Sequence, residues 1–379
     1  MKKLLCIPFI LCLIFTFYFS IFPAQSAEVF LLTENEFKEL CEDNILSADA
    51  DNVLKSHRDQ QEPIKTDGIE VYLIPERFVY AGGMPMAMLL DLRGLPVVST
   101  GEVITKNGKV SPCKDTDIKA EDILTKINGE IIETSSDVVK LLRTCSGEMK
   151  LTLERNGKEF EETINPIEDV LTGEKKLGIW VREWISGLGT MSYIDVSSLR
   201  FGALGHPLYN AATKEMYSLV GGNMFKCFVT GVVPGMKGKA GELKAVASES
   251  EVWGRIDNCN EFGVFGNLNK YSNGNLYAVA NRYSVRPGKA KILTTVEGSL
   301  PKEYDIEIVK TKKQEKQADK SMVIKITDKR LLGKSAGIVQ GMSGSPIIQN
   351  DRIVGAVTHV FVNDPTRGYG IYLDWMLDN

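Results

Sequence analysis

The chain has 379 residues, 43% hydrophobic and 25% charged, with 45 Lys and Arg against 49 Asp and Glu. This globular composition excludes wholesale disorder, collagen and long coiled coil. A formal charge of −4 excludes nucleic-acid binding through a basic field. At roughly 100–200 residues per domain, the length allows two or three domains, each able to bury a core.

Lys2 and Lys3 precede an uncharged apolar run from Leu4 to Phe22, then the small residues of Pro23-Ala24-Gln25-Ser26-Ala27. This order predicts that residues 1–27 are a signal peptide or an N-terminal membrane anchor. Either way the remainder works outside the cytoplasm. Removing Lys2 and Lys3 with the segment takes the formal charge from −4 to −6. Beyond it Cys41, Cys113, Cys145, Cys227 and Cys259 are odd in number and widely spaced, and no CxxC or Cys/His cluster suggests zinc. They read as mostly free thiols, with no metal or other cofactor implied.

Residues 28–70 form an N-terminal segment and linker. Thr33 and Glu36 make a capping-box pattern ahead of Phe37, Leu40 and Cys41, so a short helix is expected there. Asp43 to Gly68 is polar and reads as linker. In residues 71–168 short apolar runs alternate with Asn-Gly pairs at Asn107, Asn128 and Asn156, each a hairpin signal. Ser135 is positioned to cap one short helix. The string from Lys119 to Ile132, with Ala120-Glu121-Asp122-Ile123 and Asn128-Gly129, resembles the signature of PDZ domains. That resemblance implies an α+β domain that adds an extended peptide to a sheet edge. Its carboxylate-binding loop would fall on Gly82, Gly83 and Met84. A packing module with a glycine turn is the plainer alternative.

Residues 169–379 are Gly-rich and strand-like, with weak helical periodicity. Short β-branched runs over about 200 residues predict a sandwich or a pair of barrels. Lys310 to Lys320 reads as a solvated hairpin loop.

The strongest chemical signal is Gly341-Met342-Ser343-Gly344-Ser345-Pro346. It resembles the nucleophile motif of trypsin-like serine proteases. A nucleophilic serine needs a tight loop whose amides face the substrate carbonyl, and Gly341 and Gly344 permit one. The amides of Gly341 and Ser343 would form the oxyanion hole. The chain has three histidines. His57 lies in the polar linker. His359 alternates with apolar neighbours on the strand after the serine and reads as structural. His206, on a Gly-lined loop distant in sequence, is the favoured general base. Asp328, Asp195 and Asp257 compete as the orienting acid, and spacing does not choose among them. Lys334 reads as a surface charge rather than the base of a Ser-Lys dyad.

Longer strings are then informative. Ile338 to Ile347, Gly355 to Gly370, Gly187-Leu188-Gly189-Thr190 and Phe201 to His206 together resemble the SpoIVB peptidase family. The resemblance implies a mainly β chain, a PDZ domain followed by a trypsin-like double β-barrel serine peptidase. It implies a triad of Ser343, His206 and Asp328. It further implies a signalling enzyme of endospore formers, exported to the space between the forespore membranes. There it would cut the extracytoplasmic part of a membrane-anchored regulator of an intramembrane protease, start processing of a late sigma factor, and cut itself near its N-terminus. Peptide C-termini or the chain's own N-terminal segment are the expected PDZ ligands. Pro207 stands where relatives usually carry glycine, and it restricts His206 to extended backbone. The alternatives are a secreted PDZ adaptor with an inactive peptidase domain and a general envelope quality-control protease.

Overall fold

The computed structural model describes residues 28–57, 62–210, 214, 216–217, 219–272, 274–314 and 316–379. The expected signal or anchor at 1–27 lies outside them. No helix among the described residues is long and apolar enough to cross a membrane. The chain forms two compact units, one ending at Glu76 and one starting at Arg77.

In the first unit β1 (Glu28–Leu32) is followed by α1 (Glu34–Glu42), α2 (Ala50–His57), β2 (Ile64–Thr66) and β3 (Ile69–Leu73). β3 is central, parallel to β1 and antiparallel to β2. The capping box forms as expected. Glu36 N donates to Thr33 Oγ1 at 3.2 Å, and Thr33 N donates back to Glu36 Oε2 at 2.9 Å. The polar stretch read as linker instead holds α2 and β2, with Leu54 and Ile64 buried. Too few apolar residues occur there to show a period.

In the second unit β4 (Phe78–Ala81) and β5 (Pro85–Leu92) come first. An α+β module then intervenes. Its main sheet has the order β12 (Lys158–Ile164), β11 (Met149–Arg155), β9 (Ile123–Ile127), β6 (Leu95–Thr100) and β15 (Ile179–Val181). The helix α3 (Ser135–Thr144) accompanies it, with a core of Leu95, Val97, Leu124, Ile127, Met149, Leu151 and Leu153. Thr134 rather than Ser135 caps α3, while the Ser135 amide donates to Glu183 at 2.6 Å. Asp122 of the PDZ-like signature is fixed by Arg155 Nε at 2.6 Å and by the Lys119 amide at 2.7 Å. A charge buried this deeply needs such partners.

After the module come β16 (Trp184–Asp195), β17 (Arg200–Ala203), β18 (Leu219–Val233), β19 (Glu242–Asn260) and β20 (Gly263–Leu268). They pair in the order β17-β20-β19-β18-β5-β16, and β16 pairs back to β17, closing a six-stranded barrel. Met86, Met88, Met191, Phe201, Met224 and Val264 fill it. Beyond β21 (Leu276–Val279) lie β22 (Gly288–Thr294), β23 (Lys302–Thr311), β24 (Met322–Ile326), β25 (Pro346–Gln349), β26 (Arg352–Phe361) and β27 (Asp364–Tyr372). Here the order β26-β25-β22-β23-β24-β27 closes through β26–β27 into a second barrel, packed with Ile292, Ile306, Ile324, Ile347 and Ile371. β4 and β21 join the two. The chain is mainly β, as expected.

The expected domain boundaries do not match this pairing. β5 lies antiparallel to β16, with Asp91 opposite Trp184. The α+β module is therefore an excursion out of a hairpin of the first barrel, and that barrel begins before it. The expected PDZ loop falls with the barrel too. Gly82 N donates to Ser192 O at 3.0 Å and Gly83 N to Met191 O at 2.7 Å, so both amides are spent on β16. A Cβ on Gly82 would overlap the Met191 carbonyl. The sequence was misleading because β5 is buried along most of its length and reads like any core strand. Gly82→Ala should cost about 1–3 kcal/mol by overpacking, measured as a lower urea midpoint. An unchanged midpoint would fit a free ligand loop instead.

Candidate active site

The two barrels each bring one half of the site. From the second barrel comes the turn that leads into β25. Gly341 and Gly344 both have φ of +97°, a conformation that side-chain-bearing residues rarely adopt. A Cβ on Gly344 would also overlap the Thr190 carbonyl of β16. The loop is cross-tied. Met342 N donates to Val339 O at 3.1 Å, Ser345 N to Met342 O at 3.0 Å, and Gly344 N to Val357 O at 2.7 Å. Among the described residues, the amides of Gly341 and Ser343 donate to no backbone carbonyl. They are the two expected to bind an oxyanion.

Thr190, unremarked in the sequence except within its motif, ties this turn to the first barrel. Its amide donates to Ser343 O at 2.9 Å and its hydroxyl to Gly341 O at 2.7 Å. Thr190 itself is buried. It therefore holds the carbonyls of both oxyanion-hole residues.

From the first barrel comes His206. After β17, Leu204 (φ +67°) and Gly205 (φ +69°) take consecutive left-handed conformations, turning the chain sharply. For leucine this conformation costs roughly 1–2 kcal/mol, and burial of its side chain in the barrel core offsets it. His206 Nδ1 is 2.9 Å from Pro207 O. A carbonyl only accepts, so in the neutral ring Nδ1 carries the proton and Nε2 keeps its lone pair. Pro207, the departure from the usual motif, contributes through its carbonyl. Burial lowers the His206 pKa below its ordinary 6.5, so the ring is neutral at pH 7.

The two halves meet at Thr358-His359 on β26. Ser343 Oγ donates to Thr358 O at 2.6 Å. The His206 and His359 rings stand 4.7 Å apart at 41°. His359 is thus a neighbour of the expected base, although its alternation pattern pointed to a purely structural role. Burial, and then the facing His206, push its pKa down to about 4.

Asp328 is elsewhere. It follows β24 and caps α4 (Lys329–Ser335), accepting from Arg330 N at 2.8 Å. Arg330 Nη2 closes on it at 2.6 Å and the Asp305 amide reaches it at 3.3 Å. The Arg330 contact holds its carboxyl well below the usual carboxylate range. The opposite end of β24 faces the site, where Thr358 Oγ1 donates to Asp319 O at 3.4 Å. Five residues of strand, about 16 Å, separate the two ends. The expected third triad member is therefore not assembled with the other two. Of the other candidates, Asp195 binds Ser197, Ser198 and Arg77, and Asp257 binds Arg200. Lys334 pairs with Glu297 at 2.5 Å. Cys41, Cys113, Cys145, Cys227 and Cys259 are free, and burial pushes the Cys113 and Cys227 thiols up to about 11.

Two outcomes follow from this geometry. Thr190→Val should lower kcat by about ten-fold, less than the 10²–10³ for losing an oxyanion donor itself, whereas Thr190→Ser should keep most of it. A His359 pKa depressed in the fold means that its contribution to stability is complete above 6.5 and is lost as pH falls toward about 4. Urea midpoints of His359→Phe should fall less than wild type across that window.

The PDZ domain of the SdrC-like protein from Listeria monocytogenes is similar over 24% of this chain and 87% of that one, with 20% identity and a TM-score of 0.20. No curated protein gives a significant match. The family model of the SpoIVB peptidase S55 matches residues 173–377, more than half of the chain and both halves of the site. The chain belongs to the SpoIVB peptidase family.

Proposed function

We propose that this serine peptidase of sporulation is an endopeptidase with Ser343 as nucleophile and His206 as base. The observation that carries the reading is the convergence on Thr358-His359 of a glycine-framed serine and a histidine with its Nδ1 proton engaged. In the resting state Ser343 Oγ is parked on the Thr358 carbonyl. Attack requires rotation toward Nε2 of His206, and such bonds commonly form only with substrate bound. Ser343 Oγ then bonds to the peptide carbonyl carbon while His206 takes its proton. The amides of Gly341 and Ser343 receive the oxyanion. The C–N bond breaks, the amine leaves with the proton from His206, and water releases the acyl group by the same route.

The biological reading is that the chain is exported, remains membrane-bound or is released by self-cleavage near its N-terminus, and acts between the forespore membranes. Its substrate is then the extracytoplasmic part of a membrane-anchored regulator of an intramembrane protease. Family membership supports this reading. The α+β module supports a PDZ-type role in holding a peptide, a C-terminus or the chain's own N-terminal segment.

Ser343→Ala should abolish cleavage, a loss of at least about 10⁴-fold, with Tm unchanged. His206→Ala should do the same. Undiminished cleavage by folded Ser343→Ala would refute the mechanism. Because catalysis needs neutral His206, kcat/KM should rise with pH through a midpoint below 6.5. A midpoint above 6.5 would contradict the burial of the ring.

A further inference from the structure

We propose that the β18–β19 hairpin is the latch that orients the Gly341 half of the oxyanion hole, with Leu243 as its positioning residue. The proposal rests on the peptidase reading above. The hairpin starts in the first barrel and crosses onto the second. There Val229 N donates to Gly298 O at 2.8 Å and Gly298 N to Val229 O at 3.0 Å. Further along, Gly235 N donates to Ser335 O at 3.0 Å and Gly238 N to Val362 O at 2.8 Å. Leu243 is buried in the core of the second barrel, although its strand belongs to the first.

Beside the oxyanion turn the hairpin takes both backbone groups of Gln340. Gln340 N donates to Gly241 O at 2.8 Å, and Leu243 N donates to Gln340 O at 2.9 Å. The second bond bears on the chemistry, because Gln340 O and Gly341 N belong to one peptide unit. In a trans peptide the carbonyl and the N–H point in opposite directions, and no peptide bond among the described residues is cis. Pinning Gln340 O on the hairpin therefore leaves Gly341 N–H on the side away from it, unspent and able to receive an oxyanion.

Nothing within the turn secures this orientation. Gly341 lacks a Cβ and sits at φ +97°, so rotation of the Gln340–Gly341 peptide meets little steric resistance. A flipped unit would turn a carbonyl oxygen toward the developing negative charge and repel it. The other donor differs. Ser343 N shares its peptide with Met342 O, which accepts from Ser345 N at 3.0 Å and from Ser345 Oγ at 2.6 Å. Thr190 holds the carbonyls of Gly341 and Ser343, which follow the two donors, and not the one that precedes Gly341. The Leu243 side chain also fills the space beside the Gly341 Cα. One half of the hole is thus set inside the turn, and the other by a hairpin of the opposite barrel. Leu243 touches neither substrate nor the reacting atoms.

The test follows the rate at which a fluorophosphonate probe labels Ser343 in the full chain in detergent, between about pH 4.5 and pH 9, with Tm for each variant. Leu243→Pro lacks the N–H and should slow labelling by about 10²–10³-fold, as for the loss of one oxyanion donor. Its acid limb should stay in place, because His206 keeps its Pro207 partner. Leu243→Val keeps the N–H and should restore most of the rate. Combining Leu243→Pro with Thr190→Val should cost less than the product of the two single losses, since both act through Gly341. The proposal falls if folded Leu243→Pro labels like wild type, if its acid limb moves, if Leu243→Val is equally slow, or if the two losses multiply. Where Leu243→Pro does not fold, Gly241→Ala takes its place. A Cβ there would overlap Val233 O and displace the carbonyl that holds Gln340 N, and labelling of folded Gly241→Ala at the wild-type rate overturns the proposal. Where neither folds, amide exchange in the wild type decides, and a Leu243 N–H that exchanges like an unstructured amide overturns it. Labelling of Ser343→Ala at the wild-type rate would instead refute the peptidase reading itself.

Discussion

The site depends on one close approach, that of Gly344 in the second barrel to the Thr190 carbonyl in the first. A side chain at 344 would force the barrels apart. With glycine there, Thr190 comes near enough to grip the Gly341 and Ser343 carbonyls. Within the first barrel, Leu204 N donates to the same Thr190 O at 3.3 Å. That bond starts the turn that carries His206. Nucleophile, oxyanion amides and base are therefore positioned by a single peptide segment of β16. Because a barrel strand is hydrogen-bonded on both edges, that segment has little freedom to move, which suits a site that must be preorganised.

The α+β module leaves and re-enters through two paired strands, β5 and β16. An insertion closed by such a pair costs little loop entropy, because the ends are already adjacent in the barrel. It also sits on the very strand that organises the site. Asn210, on the loop that carries His206, donates to Glu121 of the module.

What the sequence revealed is what short-range rules encode. The Thr33–Glu36 box, the glycines of the Ser343 turn and the Asn128-Gly129 turn are local, and each took the shape its residues demand. Alternating β-branched runs identified the barrels as mainly β. What stayed hidden is set by pairing across long separations. Nothing in Pro85 to Leu92 says that its partner strand is Trp184–Asp195 beyond an entire module. Gly82 and Gly83 carry the residue type of a ligand loop, but close strand approach selects glycine equally well. Asp328 shows the same limit. A polar residue ahead of a helix is a cap by local rules, and the Asp328-Lys329-Arg330-Leu331 string contains that signal.

The geometry separates two duties usually assigned to one acid. Holding the imidazole tautomer needs only an acceptor, and the Pro207 carbonyl serves at 2.9 Å. Offsetting the imidazolium needs charge, which acts at longer range. An interior ring beside a transient cation must itself stay neutral, since a second charge would repel it. Burial achieves this for His359, whose pKa of about 4 keeps it uncharged near neutral pH.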